Sequence, residues 1–401
     1  MKRFSYRARE KENNKIISGD IQAENERTAG KLLVEQGYIP LIIKEDGGEG
    51  FFSKLGSRVT TKDKLVFTRQ FATLIGAGLP LSNSLRMIVE QTTNKAVRGI
   101  IEEVLASVEA GRSLSESCAK HPEMFDKVYL ALIGAGEMSG TLDESLKRLA
   151  AQQEKDAQMM SKIKGALTYP IIVLFVIMGV VLFMVIAVVP QVAKLYSDMK
   201  KPLPIGTAIM VGFAQALMQY WWLFIIVIAG TISAIRGFSK TKTGNEVFAT
   251  IKLNIPLFKD LFERLYMARF SRTAQILLST GVPMLDVMKI SGEAVNNVVI
   301  ERQIAEAAEK IKGGRPLSES LRDRDYIMPL VPQMISIGEE SGKIDEMLGR
   351  VAQVYEDELD EKIRAISTMI EPVLMVFLAI TAGGMVGAIL FPIYSLVNDL
   401  K

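Results

Sequence analysis

The chain has 401 residues, 49% of them hydrophobic, a mean hydropathy of +0.21, and 48 basic against 45 acidic side chains for a net charge of +3. That composition fits a chain divided between lipid and water, and the near balance of charge gives no reason to expect nucleic acid, which usually draws a clustered basic surface. One cysteine, Cys118, and one histidine, His121, exclude an internal disulfide and a four-ligand Cys/His zinc site.

The first 30 residues are polar and mixed in charge, and lack the apolar core of a cleavable signal peptide. Residues 1–46 read as a small α/β module. Strands over 4–8 and 16–21 pair around Asn13-Asn14, 27–36 forms a helix stopped by Gly37, and 39–43 forms another strand. Residues 47–60 open with Gly47-Gly48-Glu49-Gly50 and read as a linker. Residues 61–165 read as a first helical domain, with apolar residues at helical spacing in 65–75, 81–89 and 100–108. Gly111 suits a helix C-cap, and Ser113 with Glu116 has the form of a capping box. The last helix of this domain, from about Leu142, meets no breaker before Pro170.

Three windows contain no ionisable side chain except tyrosine: 165–193, 202–235 and 372–398, with 29, 34 and 27 residues. About 20 apolar residues span a bilayer core as a helix. The first span is expected at 166–191, framed by Pro170 and Pro190, which suit helix edges better than interiors. An external loop follows at 192–211. The second span is expected at 212–235 with Tyr220, Trp221 and Trp222 inside it, although such aromatics favour an interface. A connector at 236–262 leads to a second helical domain at 263–368. The third span is expected at 369–396, its apolar run 373–391 closed by Pro392. Eleven basic residues flank the three spans on one side and four on the other. By the positive-inside rule the N-terminus and both helical domains are cytoplasmic and the C-terminus is external.

The two helical domains are copies. Phe67-Thr68-Arg69 recurs as Phe270-Ser271-Arg272, Gly78-Leu79-Pro80 as Gly281-Val282-Pro283, and the Gly111–Ser117 block as Gly314–Ser320, all at an offset of 203. Gly136-Glu137-Met138-Ser139-Gly140 recurs as Gly338-Glu339-Glu340-Ser341-Gly342 at 202, as do Pro170 with Pro372 and Pro190 with Pro392. Pro316 replaces Ser113 and suits a first helical turn. The second span has no counterpart and returns the chain, so that both copies face one side. The fold expected is therefore mainly α: two repeated cytoplasmic helical bundles, three transmembrane helices and a small N-terminal α/β module.

Catalytic arrangements fare poorly. Gly338-Glu339-Glu340-Ser341-Gly342-Lys343 has three residues between its glycines where a phosphate loop needs four, and Ile344 where it needs Ser or Thr. Cys118 and His121 stand three apart, but nothing reactive recurs in the second copy. The acidic run 356–361 reads as a solvated helix face before a cation or basic-partner site. Glu137 and Glu339 suit a structural or interface role. The chain therefore reads as a non-enzyme without cofactor or metal. The spans carry small residues at four-residue spacing, Gly383 with Gly387 and Ala208 with Gly212 and Ala216, as close helix packing requires. A transporter or channel subunit is the alternative class, and the lack of intramembrane charge weighs against it. The single His and Cys weigh against a membrane protease.

The two-copy layout, the Gly-x-Pro turns, the Gly-Glu-x-Ser-Gly turn and the run Lys162-Ile163 through Ala166-Leu167-Thr168-Tyr169-Pro170 to Val188-Val189-Pro190 resemble the bacterial type II secretion system protein F family over the whole chain. Glu371 stands where Tyr169 would recur, a departure from the pattern. The resemblance implies a multi-pass inner-membrane assembly platform of a type IV pilus or type II secretion machine. It implies as partners a hexameric cytoplasmic ATPase, pilins or pseudopilins, other inner-membrane components of the machine, the lipid bilayer and further copies of the chain. Gly78, Pro80, Gly136, Glu137, Gly140 and their repeats Gly281, Pro283, Gly338, Glu339 and Gly342 are expected to define the fold, with Tyr169, Pro170, Pro190 and Pro372 marking the membrane helices.

Overall fold

The computed structural model describes residues 2–10, 16–23, 25–35, 37–45, 58–198, 205–256 and 258–398. The Asn13-Asn14 turn, the 47–50 linker and Lys200-Lys201 of the expected external loop lie outside the described residues. At the N-terminus, β1 (Lys2–Glu10) pairs antiparallel with β2 (Ile16–Ala23) on one side. Helix α1 (Glu26–Glu35) follows, and then β3 (Tyr38–Glu45) pairs antiparallel with the other side of β1. Ala29 and Leu33 of α1 are fully buried. Gly37, at φ +85°, makes the turn from α1 into β3, a conformation costly for any residue with a Cβ. The expected small α/β module is therefore present.

The first lobe is α2 (Thr61–Gly76), α3 (Leu81–Gln91), α4 (Lys95–Glu109), α5 (Leu114–Cys118), α6 (Lys127–Ser139) and the start of α7 (Leu142–Phe183). Polar residues fix its helix starts. Thr60 and Asp63 form a reciprocal capping box on α2, Asn94 caps α4 and Asp126 caps α6. Phe67, Phe71, Phe125 and Tyr129 pack ring to ring in its core, with centroids 4.8 to 5.7 Å apart.

Helix α7 does not stop at the membrane side of the lobe. It runs 42 residues, passes through Pro170, continues as a single π-helical turn (Met184–Val188), and ends as α8 (Val189–Asp198). At about 1.5 Å per residue, α7 alone spans roughly 63 Å, twice a bilayer core. The prolines thus sit inside helix rather than at its edges. The carbonyl that the Pro190 ring would crowd belongs to Ile186, within the π-helical turn, where widened spacing relieves the clash. Pro372 and Pro392 likewise lie inside one helix, α17 below. Interior prolines are tolerated in membrane helices because neighbouring groups and local adjustments satisfy the freed carbonyls.

The second span also departs from expectation. Helix α9 (Ile205–Gln219) ends at Tyr220, at φ −116° and ψ 25°, and α10 (Trp221–Ser239) begins anew. Trp221 and Trp222 therefore occupy the first turn of the crossing helix, and both are exposed, as an interfacial belt requires. Ala208, Gly212 and Ala216 belong to α9, whose Val211 packs on Val185 and Val189, and not to the helix that crosses.

The expected connector is partly lobe. Helix α11 (Lys242–Asn254) buries Leu253 in the core, and its Ala249 carbonyl accepts from the Asn297 side chain at 3.3 Å. The second lobe then follows as α12 (Lys259–Ser279), α13 (Met284–Ala294), α14 (Val298–Lys312), α15 (Leu317–Leu321), α16 (Leu330–Ser341) and α17 (Ile344–Asn398). Each element from α12 to α17 matches one from α2 to α7 in order. Helix α17 is one rod of 55 residues, roughly 80 Å long. Among the described residues, three helical segments are long and apolar enough to cross a bilayer: Leu142–Asp198, Trp221–Ser239 and Ile344–Gly384. The buried side chains of both lobes form one continuous core.

Candidate functional site: matched turns and the seam between lobes

The repeated motifs resolve into a small set of constraints. Gly78 and Gly281 both adopt φ +81°, and Pro80 and Pro283 follow as the residues that open α3 and α13 with φ near −57° and ψ near 143°. Gly140 and Gly342 end α6 and α16 in the left-handed region, at φ +74° and +71°. Gly136 and Gly338 permit close approach of the next helix. A Cβ on Gly136 would lie 2.5 Å from Ser145 Oγ and 3.1 Å from Leu142 Cα, and one on Gly338 would lie 2.7 Å from Ile344 Cα.

Glu137 and Glu339 have one job in two places. The Leu114 N–H donates to Glu137 Oε1 at 2.5 Å, and the Ser115 N–H and Oγ donate to Oε2 at 3.1 and 2.9 Å. In the second lobe the Leu317 N–H donates to Glu339 Oε1 at 2.6 Å, while the Ser318 N–H (3.3 Å) and hydroxyl donate to Oε2. Each carboxylate thus caps the first turn of a five-residue helix from 21 to 23 residues away, where free amides and the helix dipole favour an anion. This corrects the local capping box expected at Ser113. Its hydroxyl does accept from the Glu116 N–H at 3.2 Å, but the carboxylate that serves the turn is that of Glu137. Pro316 can replace Ser113 because the long-range cap survives in the second copy.

A feature that sequence reasoning missed stands where the long helices leave the lobes. Arg69 of α2 pairs with Glu154 of α7 at 2.7 Å, and the equivalent Arg272 of α12 pairs with Glu356 of α17 through two bonds of 2.8 Å. The recurring Arg69 and Arg272 were visible in the repeat; Glu154 and Glu356, at the 202 offset of the Gly-Glu turn, are the signal that could have found their partners. Glu356 has a further partner, Lys155 of α7, at 2.9 Å. Lys162 pairs with Asp360 at 2.5 Å, Arg264 with Glu358 at 2.7 Å and Lys362 with Asp260 at 2.9 Å. The acidic run is therefore a seam rather than the solvated face expected: it ties α17 to α12 and to α7 of the other repeat. Below it, Met159, Leu261, Leu265, Leu359, Ile363 and Ile366 pack as a second apolar cluster. Burial alone would raise the Glu356 carboxyl, but hydrogen bonds from Arg272 and Lys155 hold it below the usual range. Asp156 goes the other way: burial raises it, and Arg269, at 3.8 Å, offsets only part.

Cys118 is buried, and burial first, with Glu137 nearby, pushes its thiol up to about 12. Such a thiol is inert at neutral pH. His121 lies between Glu103 and Glu123, at 3.5 and 3.6 Å. Among the described residues no group of three or more His, Cys, Asp or Glu is placed to hold a metal ion. The remaining expected residues lie along the membrane rods and are not brought together: Tyr169 is exposed, Pro170 is buried, Pro190 is half-buried and Pro372 is exposed. Two lobes with one shared core are clamped at the root of two rods that continue into the membrane span.

The family described as type II secretion system (T2SS), protein F matches this chain twice, over residues 67–190 and 270–392, and the N-terminal domain of the same protein matches residues 1–44. The chain is 35% identical to the type IV pilus assembly protein PilC of Thermus thermophilus, with 99% of each chain covered. It is 32% identical to the type II secretion system protein F of Aeromonas hydrophila over 94% of this chain and 98% of that one, and 29% identical to the protein of the same name from Vibrio cholerae over 99% of each. The chain belongs to the type II secretion system protein F family.

Proposed function

We propose that the chain is the inner-membrane platform of a type IV pilus or type II secretion machine. The observation that carries this is the family match over both lobes and rods, with relatives named for each of the two systems at almost full length. In this proposal the lobes and N-terminal module lie in the cytoplasm and the C-terminus lies outside. A cytoplasmic assembly ATPase grips the lobes, and pilins or pseudopilins are drawn from the lipid beside the membrane helices. The chain itself hydrolyses nothing. The rods support the proposal physically. A torque or displacement applied to a lobe passes into α7 and α17 without an intervening loop, because each rod is continuous from lobe to membrane window. The seam of ion pairs at the root of the rods makes the two lobes move as one.

Deletion of the chain in its own cell is expected to abolish surface filaments or secretion while pilin precursors are still cut to mature length. Loss of the cutting step would assign the protein to a different stage. A reporter fused after Lys401 is expected outside the cytoplasm, and a cytoplasmic signal would overturn the three-span arrangement.

A further inference from the structure

The lobes within one chain meet unequally. Helices α12 and α13 of the second lobe pack on α6 of the first. Lys127 of α6 pairs with Glu293 of α13 at 2.7 Å, Asp156 of α7 faces Arg269 of α12 at 3.8 Å, and Arg148 of α7 donates to Ser279 of α12. The reciprocal set, α2 and α3 against α16, forms no comparable packing. Two equal bodies related by a twofold axis would make both sets at once. The lobe-to-lobe contact is therefore head to tail, and among the described residues it leaves each lobe with one face unused: α2–α3 on the first, α16–α17 on the second.

The residues on those unused faces can be read against their repeat equivalents inside the contact. Gln152, one turn before Asp156 on α7, is 7% exposed, and its equivalent on α17 is Val354, 41% exposed. Ala135 of α6 is half-buried, and its equivalent on α16 is Ile337, 51% exposed. On the other side, Arg269 and Ile290 are half-buried, and their equivalents are Val66 and Met87, 45% and 39% exposed. Both open faces thus carry large apolar side chains, exposed where their repeat equivalents are buried or half-buried. The Lys127–Glu293 pair has no copy, since Lys127 falls against Pro329 and only Glu90 stands for Glu293. The ion pair is dropped and apolar surface stands exposed beside it, as suits a face covered after folding.

From this geometry we propose that a second copy of the chain docks head to tail, the α2–α3 face of one copy seating on the α16–α17 face of its neighbour and repeating the contact that joins the lobes within a chain. Membrane geometry is compatible with it. The seam pairs Lys155 with Glu356 and Lys162 with Asp360, so α7 and α17 advance in the same sense. The operator that relates the lobes therefore turns about an axis along the rods, and its repetition keeps every copy in one bilayer. Repeated head-to-tail contacts about such an axis close into a ring where the rotation divides a full turn. The proposal does not depend on the platform function.

The test is directional crosslinking of the full chain in its membrane. In a Cys118→Ala background, Val66→Cys is carried by one tagged copy and Val354→Cys by a second copy with a different tag, and membranes are treated with a bis-maleimide. A product carrying both tags is expected, with far less from two Val66→Cys copies or two Val354→Cys copies. Lys127→Cys with Glu293→Cys in a single chain must close internally, which shows that the reagent works and the lobes are folded. If that control closes and the product joins like to like, or only some other protein is captured, or no two-tag product forms, the proposal is overturned.

Discussion

The same arginine–glutamate pair lives in two environments. In the first lobe Arg69 and Glu154 meet at 2.7 Å with side chains 57% and 44% exposed; in the second Arg272 and Glu356 meet through two bonds with side chains 14% and 12% exposed. The chemistry is identical and the repeat placed it identically. What differs is the neighbour: Lys155 of the first lobe's rod reaches Glu356, whereas Glu154 has no such visitor from the second lobe among the described contacts. Duplication supplied two equal halves, and joining them head to tail turned one copy's surface pair into the other's seam.

The largest difference between copies is expected at the close-approach glycines. Gly338→Ala drives a Cβ to 2.7 Å from the Ile344 backbone, which can yield only by moving α17. Gly136→Ala meets Ser145 Cβ at 2.8 Å and a single backbone atom, Leu142 Cα, at 3.1 Å, so a smaller shift of α7 relieves it once the Ser145 hydroxyl has turned away. Thermal unfolding of the purified chain in detergent should show a loss of about 3 kcal/mol for Gly338→Ala and about 1–2 kcal/mol for Gly136→Ala. Equal losses would mean that both turns yield alike.

Next comes the ion pair itself. Glu356→Gln should cost about 2–3 kcal/mol, because it withdraws a charge from Arg272 and Lys155 in a half-buried setting. Glu154→Gln should cost less than about 1 kcal/mol, as exposed pairs do. If the two substitutions cost the same, the seam adds nothing to the surface pair. The glutamate caps should show no asymmetry. Glu137→Gln and Glu339→Gln are each expected to cost about 1 kcal/mol, and amide exchange at Leu114 or Leu317 should quicken in the lobe that is altered and stay slow in the other.

The lobes and their repeat were legible because a turn that demands φ near +80°, as at Gly78 and Gly281, or a helix-to-helix approach that admits no Cβ, as at Gly136 and Gly338, leaves a residue-specific mark. The N-terminal strands and helix were legible from periodicity and Gly37. Three things were not. Proline bias argued for helix ends at Pro170 and Pro190, but in a lipid-spanning rod continuity is favoured, and a π-helical turn absorbs the conflict at Pro190. The aromatic trio at 220–222 was placed inside the second span, whereas the chain breaks at Tyr220 and the long apolar helix α10 starts only at Trp221. The seam was illegible because an acidic run has the same local pattern whether water or a basic helix faces it. Only the fold brings Lys155 and Lys162 to Glu356 and Asp360.

The smallest predicted effect sharpens the comparison further, because it reverses sign. Glu356 is held below the usual carboxylate range, so its ionised form is favoured by folding. Its contribution is present at neutral pH and is lost as pH falls through its folded value. Asp156, deep beside Arg269 on the same seam, is held above the usual range by burial. Folding favours its protonated form, so its penalty is present at neutral pH and fades as pH falls through its folded value toward that of an exposed aspartate. Asp156→Asn should therefore give a small rise in unfolding temperature at pH 7, and that rise should vanish near pH 4. Glu356→Gln should lower the unfolding temperature at pH 7, with the loss narrowing in the same acidic range. A matching loss for Asp156→Asn at pH 7 would mean that the ionic attraction of Arg269 outweighs the burial of the carboxylate, and that both acids of the seam bind the lobes together by charge.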